Sequence, residues 1–129
     1  MNEAPAKEDM PPSSVDSLLQ QALSHHQAGR MEDAVGLYCK VLNSHPDHLD
    51  ALNFGGVAFF QSGENTQALE MLRKAVQLAP DYAEAHNNLG KVLHESGEVE
   101  DSLACFERAL AIKPDYLEAK TNLGLSLQN

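Results

Sequence analysis

A chain of 129 residues with 43% hydrophobic content is one domain's worth, enough to bury a continuous core. Its 19 acidic residues against 9 basic ones give a formal charge of −10 at pH 7, a field that repels phosphate backbones and anionic lipid and so excludes nucleic acid and membrane surfaces as partners. No apolar run approaches the roughly 18 to 20 residues that span a bilayer.

The chain opens on Met-Asn-Glu-Ala-Pro-Ala-Lys-Glu-Asp-Met-Pro-Pro, which lacks the basic start and apolar stretch of a secretory signal, so a cytoplasmic protein is expected. Residues 1–14 are rich in Pro, Glu, Lys and Ser with almost no apolar content, and burial cannot offset their ordering entropy. They are predicted to be a disordered tail, with Ser13 or Ser14 capping the first helix.

From residue 15 the chain repeats itself. Pro46-Asp47-His48, Pro80-Asp81-Tyr82 and Pro114-Asp115-Tyr116 recur every 34 residues, as do Gly29, Gly63 and Gly97. The spacing predicts units over 15–48, 49–82 and 83–116, each a helical hairpin turned at its glycine and closed by its proline, then a closing helix over 117–129. In the first unit Leu18, Ala22 and His25 precede the glycine and Ala34, Tyr38 and Val41 follow it at helical spacing. Gly56 and Phe59, then Ala68, Leu72 and Ala75, repeat this in the second. Leu89, Gly90 and Leu93, then Leu103, Phe106, Ala109 and Leu110, repeat it in the third.

Asp47, Asp81 and Asp115 are predicted N-caps, each with an acid three residues on at Asp50, Glu84 and Glu118. Ala22, Gly56, Gly90 and Gly124 share one column, where small side chains let paired helices approach. Gln21 and His25 stand where other units carry apolar residues, which marks the first unit as a polar end of the stack. Leu123, Gly124 and Leu127 are expected to pack the closing helix on the third hairpin, with Leu125 exposed. A chain ending at Asn129, just short of a fourth glycine turn, points equally to a finished cap and to the N-terminal repeats of a longer protein.

Period, turn glycine, closing proline and small-residue columns together resemble the tetratricopeptide repeat family, over residues 15–129. The resemblance implies an all-α superhelix of antiparallel hairpins whose concave wall, lined by first helices, holds a peptide or protein segment. The groove residues it implies are Leu19, Leu23 and His26; Asn53, Phe54, Val57 and Phe60; Asn87, Asn88, Lys91 and His94; and Asn122. Asn88 and Asn122 fall in one column that looks like the asparagine ladder of O-GlcNAc transferase repeat domains, which grips extended backbones. Phe54 and Gln20 interrupt it. The family's carboxylate clamp would need basic or amide residues at Leu19, Leu23 and Phe54 and a cation at Glu84, so chaperone C-terminal tails are not expected as ligands.

Neither catalytic nor metal chemistry is indicated, and no cofactor is expected. His26 and His94 lie two repeats apart, too far to share a zinc, and His45 and His48 lack the rest of a four-ligand set. Cys39 and Cys105 sit in second helices of different units, beyond the roughly 7 Å Cα limit for a disulfide. Gly55-Gly56 lacks the strand and the Lys-Ser/Thr of a phosphate loop. Glu98, Glu100 and Asp101 open a helix, where dipole compensation accounts for them. The expected function is a non-enzymatic scaffold or adaptor. Its alternatives are the substrate-recruiting arm of a larger enzyme such as a glycosyltransferase, and a structural scaffold self-assembling weakly through the closing helix.

Overall fold

Gly29, Gly63 and Gly97 sit at φ of 82°, 85° and 87°, a region glycine enters without steric cost, and no other described residue has positive φ. Each ends a helix in the same way. The Glu64 N–H donates to the Phe59 carbonyl at 2.8 Å and the Gly63 N–H to the Phe60 carbonyl at 3.0 Å; Glu98 and Gly97 repeat the pair, as do Arg30 and Gly29. Two otherwise orphaned carbonyls are satisfied at each turn, and the chain reverses into the next helix.

The computed structural model describes residues 11–128. Among them are seven α-helices: α1 Pro11–Gln27, α2 Met31–Ser44, α3 Leu49–Gln61, α4 Asn65–Leu78, α5 Ala83–Glu95, α6 Val99–Ile112 and α7 Leu117–Leu127. Residues 1–10 of the expected tail lie outside the described residues. α1 begins at Pro11, so Ser13 and Ser14, expected at its cap, stand inside its first turns instead; proline suits a first turn because its φ is already helical.

The expected aspartate caps are corrected by one residue, since the helices start from His48, Tyr82 and Tyr116. The reason is the preceding turn. His48, Tyr82 and Tyr116 each donate their N–H back three residues, to the carbonyls of His45, Ala79 and Lys113, which places Pro-Asp at the two central positions of a β-turn. The aspartates are spent on the turn, and His48 Nδ1 takes over one capping role by accepting from the Ala51 N–H at 3.2 Å. Asp50, Glu84 and Glu118 stand in the first helical turn, where the dipole favours a carboxylate.

Helices pair as α1/α2, α3/α4 and α5/α6, and each second helix also packs on the first helix that follows it. The small-residue column explains the closeness of the pairs. A Cβ added at Gly56 would lie 2.7 Å from Leu72 Cγ, and one at Gly90 2.6 Å from the Phe106 ring. The core runs between hairpins, with Ala22, Ala34, Tyr38 and Ala58 in one cluster and Ala68, Leu72, Leu89, Val92 and Leu93 in another. The first unit's polar residues face outward or bond locally, with Gln21 donating to Ser17 Oγ and His25 Nδ1 accepting from Arg30 Nε.

The packing face expected for the closing helix is also corrected. Ala119 and Ser126 are its buried residues, whereas Gly124 is exposed and Leu127 is 65% exposed. Leu127 matches Leu93, which is 2% exposed because its own second helix helps to cover it. No eighth helix lies against α7 among the described residues.

Candidate functional site

First helices touch in series, α1 on α3, α3 on α5 and α5 on α7, while no comparable contact links the second helices. The stack therefore curves with its first helices on the inner side, and they form the wall of the groove.

The wall residues divide by depth. Leu19, Leu23 and Phe54 are half-buried and pack against the Tyr38 cluster, so they support the groove from below. Val57, on α3, is also half-buried. Asn53 and Asn87 are buried, at 3% and 0% exposure, and do not face the groove. Their side-chain oxygens accept from Asn88 Nδ2 and Asn122 Nδ2, each at 2.9 Å. Each pair is separated by 35 residues, one repeat plus one position, and ties a first helix to the next. Asn87 Nδ2 makes a further long contact, 3.5 Å, to the Tyr116 hydroxyl.

The histidines of the wall also bridge units. His26 has Nδ1 3.0 Å from the Tyr38 hydroxyl and Nε2 2.8 Å from Gln61 Oε1, with its ring edge-on to Tyr38. His94 Nδ1 lies 3.0 Å from Ser126 Oγ. Lys91 pairs with Glu118 at 3.2 Å, both groups partly exposed.

Between α3, α5 and α7 the wall opens into a cavity of about 250 Å³. Phe60, Phe106 and Leu125 give it apolar surface; Lys91, His94, Asn122 and Ser126 supply polar groups, with Glu95 at the edge. Leu125 is expected on the wall from sequence, since the column of Lys91 runs through it one repeat on, whereas Ser126 was not among the groove residues expected. Phe106 could not be found that way, since it belongs to a second helix and reaches the cavity past Gly90, which has no side chain to block it. Among the described residues no group of three His, Cys, Asp or Glu is placed to hold a metal ion.

Profiles of this repeat match along most of the chain. A TPR repeat profile covers residues 56–97, and tetratricopeptide repeat profiles cover residues 83–116 and 16–48. The chain belongs to the tetratricopeptide repeat family. Among solved tetratricopeptide-type structures, an O-GlcNAc transferase from Thermobaculum terrenum is 31% identical with a TM-score of 0.86; the match covers 98% of this chain but 23% of that one. MamA is 26% identical with a TM-score of 0.84, over 95% of this chain and 72% of that one. The first repeat domain of Spaghetti (RPAP3), solved bound to an HSP90 peptide, has a TM-score of 0.84 at 21% identity, over 88% of this chain and 90% of that one, a likeness of fold alone. No curated protein matches the chain. Within the family's repeat, the two asparagine columns here serve first to join consecutive units. Asn88 and Asn122 each keep one N–H and the carbonyl oxygen outside those bonds.

Proposed function

We propose that this chain is a non-catalytic protein-interaction module that holds a segment of a partner polypeptide in the groove lined by α3, α5 and α7. The observation that carries this reading is the cavity beside Phe60, where an apolar floor meets an ammonium, an amide and a hydroxyl. Such a site takes a peptide side chain on Phe60 and Leu125, while Asn122 pairs with its backbone and Lys91 with a carbonyl or carboxylate. Asparagine pairs between successive first helices hold the wall in place, which lowers the ordering cost on the protein's side of binding. The −10 formal charge favours partners with basic segments flanking the anchor.

The test is a pull-down from a cytoplasmic extract with the whole chain and with a Lys91→Ala/Leu125→Asp variant, both side chains being exposed enough to change without unfolding the protein. Partners recovered by the first and lost with the second support the groove. Identical recovery with both refutes it.

A second reading is the recruiting arm of a larger enzyme. The 31% identity to an O-GlcNAc transferase repeat region favours it. The groove would then present substrate segments to a catalytic domain supplied elsewhere in the parent protein.

A further inference from the structure

A second opening lies at the glycine-turn end of the first two hairpins. Between the start of α2 and the start of α4, over the last turn of α3, is a cleft of about 650 Å³ that shares no residue with the groove cavity. Val35 and Phe59, both half-buried, give it apolar surface, and Gly36 forms part of its α2 side. Gly55, Gly56 and Gly90 each lie against a neighbouring side chain, but an added Cβ at Gly36 would meet nothing within 4 Å. A glycine inside a helix is destabilising relative to alanine, and no neighbour in the chain requires this one. It leaves room for a foreign backbone to approach α2. The repeat period does not account for these residues: one unit on, Thr66 and Glu70 stand at the places of Glu32 and Gly36, and Leu93, at the place of Phe59, is 2% exposed.

The polar groups of the cleft are mostly acceptors. Glu32 and Glu64 border it, and no lysine or arginine does. Among the described residues neither glutamate is in an ion pair. Glu64 makes no side-chain capping bond to α4, and Arg30, the cation nearest to Glu32 in sequence, donates its Nε to His25 Nδ1 at 2.8 Å. The Ser62 hydroxyl gives its hydrogen to the Ala58 carbonyl at 2.9 Å, which leaves its oxygen to accept. Gln67 alone brings side-chain N–H groups.

We infer that this cleft takes an arginine side chain from a basic segment of a partner polypeptide. A guanidinium carries five N–H donors and no acceptor, stacks on aromatic rings and forks to carboxylates, which suits Phe59 together with Glu32 and Glu64. Gly36 leaves space for the backbone on either side of that arginine. The −10 formal charge of the protein draws such a segment in. The site is separate from the groove and does not depend on what the groove holds.

The probe is the peptide acetyl-Gly-Ala-Arg-Ala-Gly-amide, titrated into the isotope-labelled whole chain and followed by the chain's amide resonances. Saturable shifts centred on residues 32–36 and 59–67 are expected. Citrulline in place of the arginine keeps the shape and removes the charge; Gly36→Lys puts a cation into the open space. Each should weaken binding by about tenfold or more, and the dispersion of the amide spectrum verifies that the variant folds. Glu32→Gln/Glu64→Gln should weaken it to a similar extent, whereas Glu98→Gln/Glu100→Gln, which removes two charges elsewhere, should change it by less than about twofold. Acetyl-arginine-amide, lacking the flanking backbone, should bind at least about threefold more weakly than the peptide. Leu125→Asp in the groove should leave the titration unchanged, so failure here and failure of the groove reading are distinguishable. Equal losses from the two glutamine pairs overturn the inference, because the attraction is then diffuse. So does equal affinity of acetyl-arginine-amide and the peptide, since the occupant is then a small guanidino compound, and so does the absence of saturable shifts around the cleft.

Discussion

At the scale of single residues, two helical glycines have opposite meanings. Gly90 lies against Phe106, so Gly90→Ala must push a buried ring aside and should cost about 1–3 kcal/mol in urea denaturation. Gly36 has nothing within 4 Å of an added Cβ, and Gly36→Ala should stabilise α2 by about 0.5–1 kcal/mol. A reversed order of the two variants contradicts the packing described. Asn87 is the buried member of a pair, and Asn87→Ala should cost about 1–3 kcal/mol because the donor of Asn122 is left without its acceptor. Burial pushes the Cys105 thiol up to about 11, which leaves it protonated at neutral pH. Its reaction with a disulfide reagent at pH 8 should therefore be far slower in the folded chain than in urea.

At the scale of elements, the sequence period located every hairpin, because a glycine turn and a proline break are local and each has one geometric solution here. Side-chain destinations were less legible. The columns put Asn53 and Asn87 on the wall, but both are buried, and a bond between residues 35 apart is visible only once successive helices are in place. Columns also misled at the end of the chain. Leu127 aligns with Leu93, yet the first is 65% exposed and the second 2%, since a column records a position in the repeat and not whether its covering helix is present. Leu93→Ala should accordingly cost about 2–5 kcal/mol, while Leu127→Asp should cost under about 0.5 kcal/mol. Hydrogen exchange gives the same ordering from the backbone: α7, with Ala119 and Ser126 as its buried residues, should exchange well ahead of α5.

At the scale of the whole molecule, tyrosines at or near the seams between units make stability sensitive to alkali. Burial pushes Tyr38 and Tyr116 up to about 12 and Tyr82 upward as well, Tyr82 helped by Asp50, which accepts its hydroxyl hydrogen at 3.1 Å. The folded state thus holds these protons more tightly than the unfolded chain does. The associated stability is complete below the unfolded tyrosine value of about 10 and is lost as pH rises from there towards 12. Thermal melts should show a falling midpoint over that range, and Tyr38→Phe should flatten part of the fall.

The groove is the claim on which the proposed function stands, and its most direct test maps a ligand onto the surface. Peptides selected from a random display library against the whole chain would be bound to it and their footprint read by hydrogen exchange. Slowed exchange in the C-terminal turns of α5 and through the middle of α7, with binding lost in Leu125→Asp, is the predicted result. Protection confined to the outer faces of α2, α4 and α6, with binding intact in that variant, would contradict it.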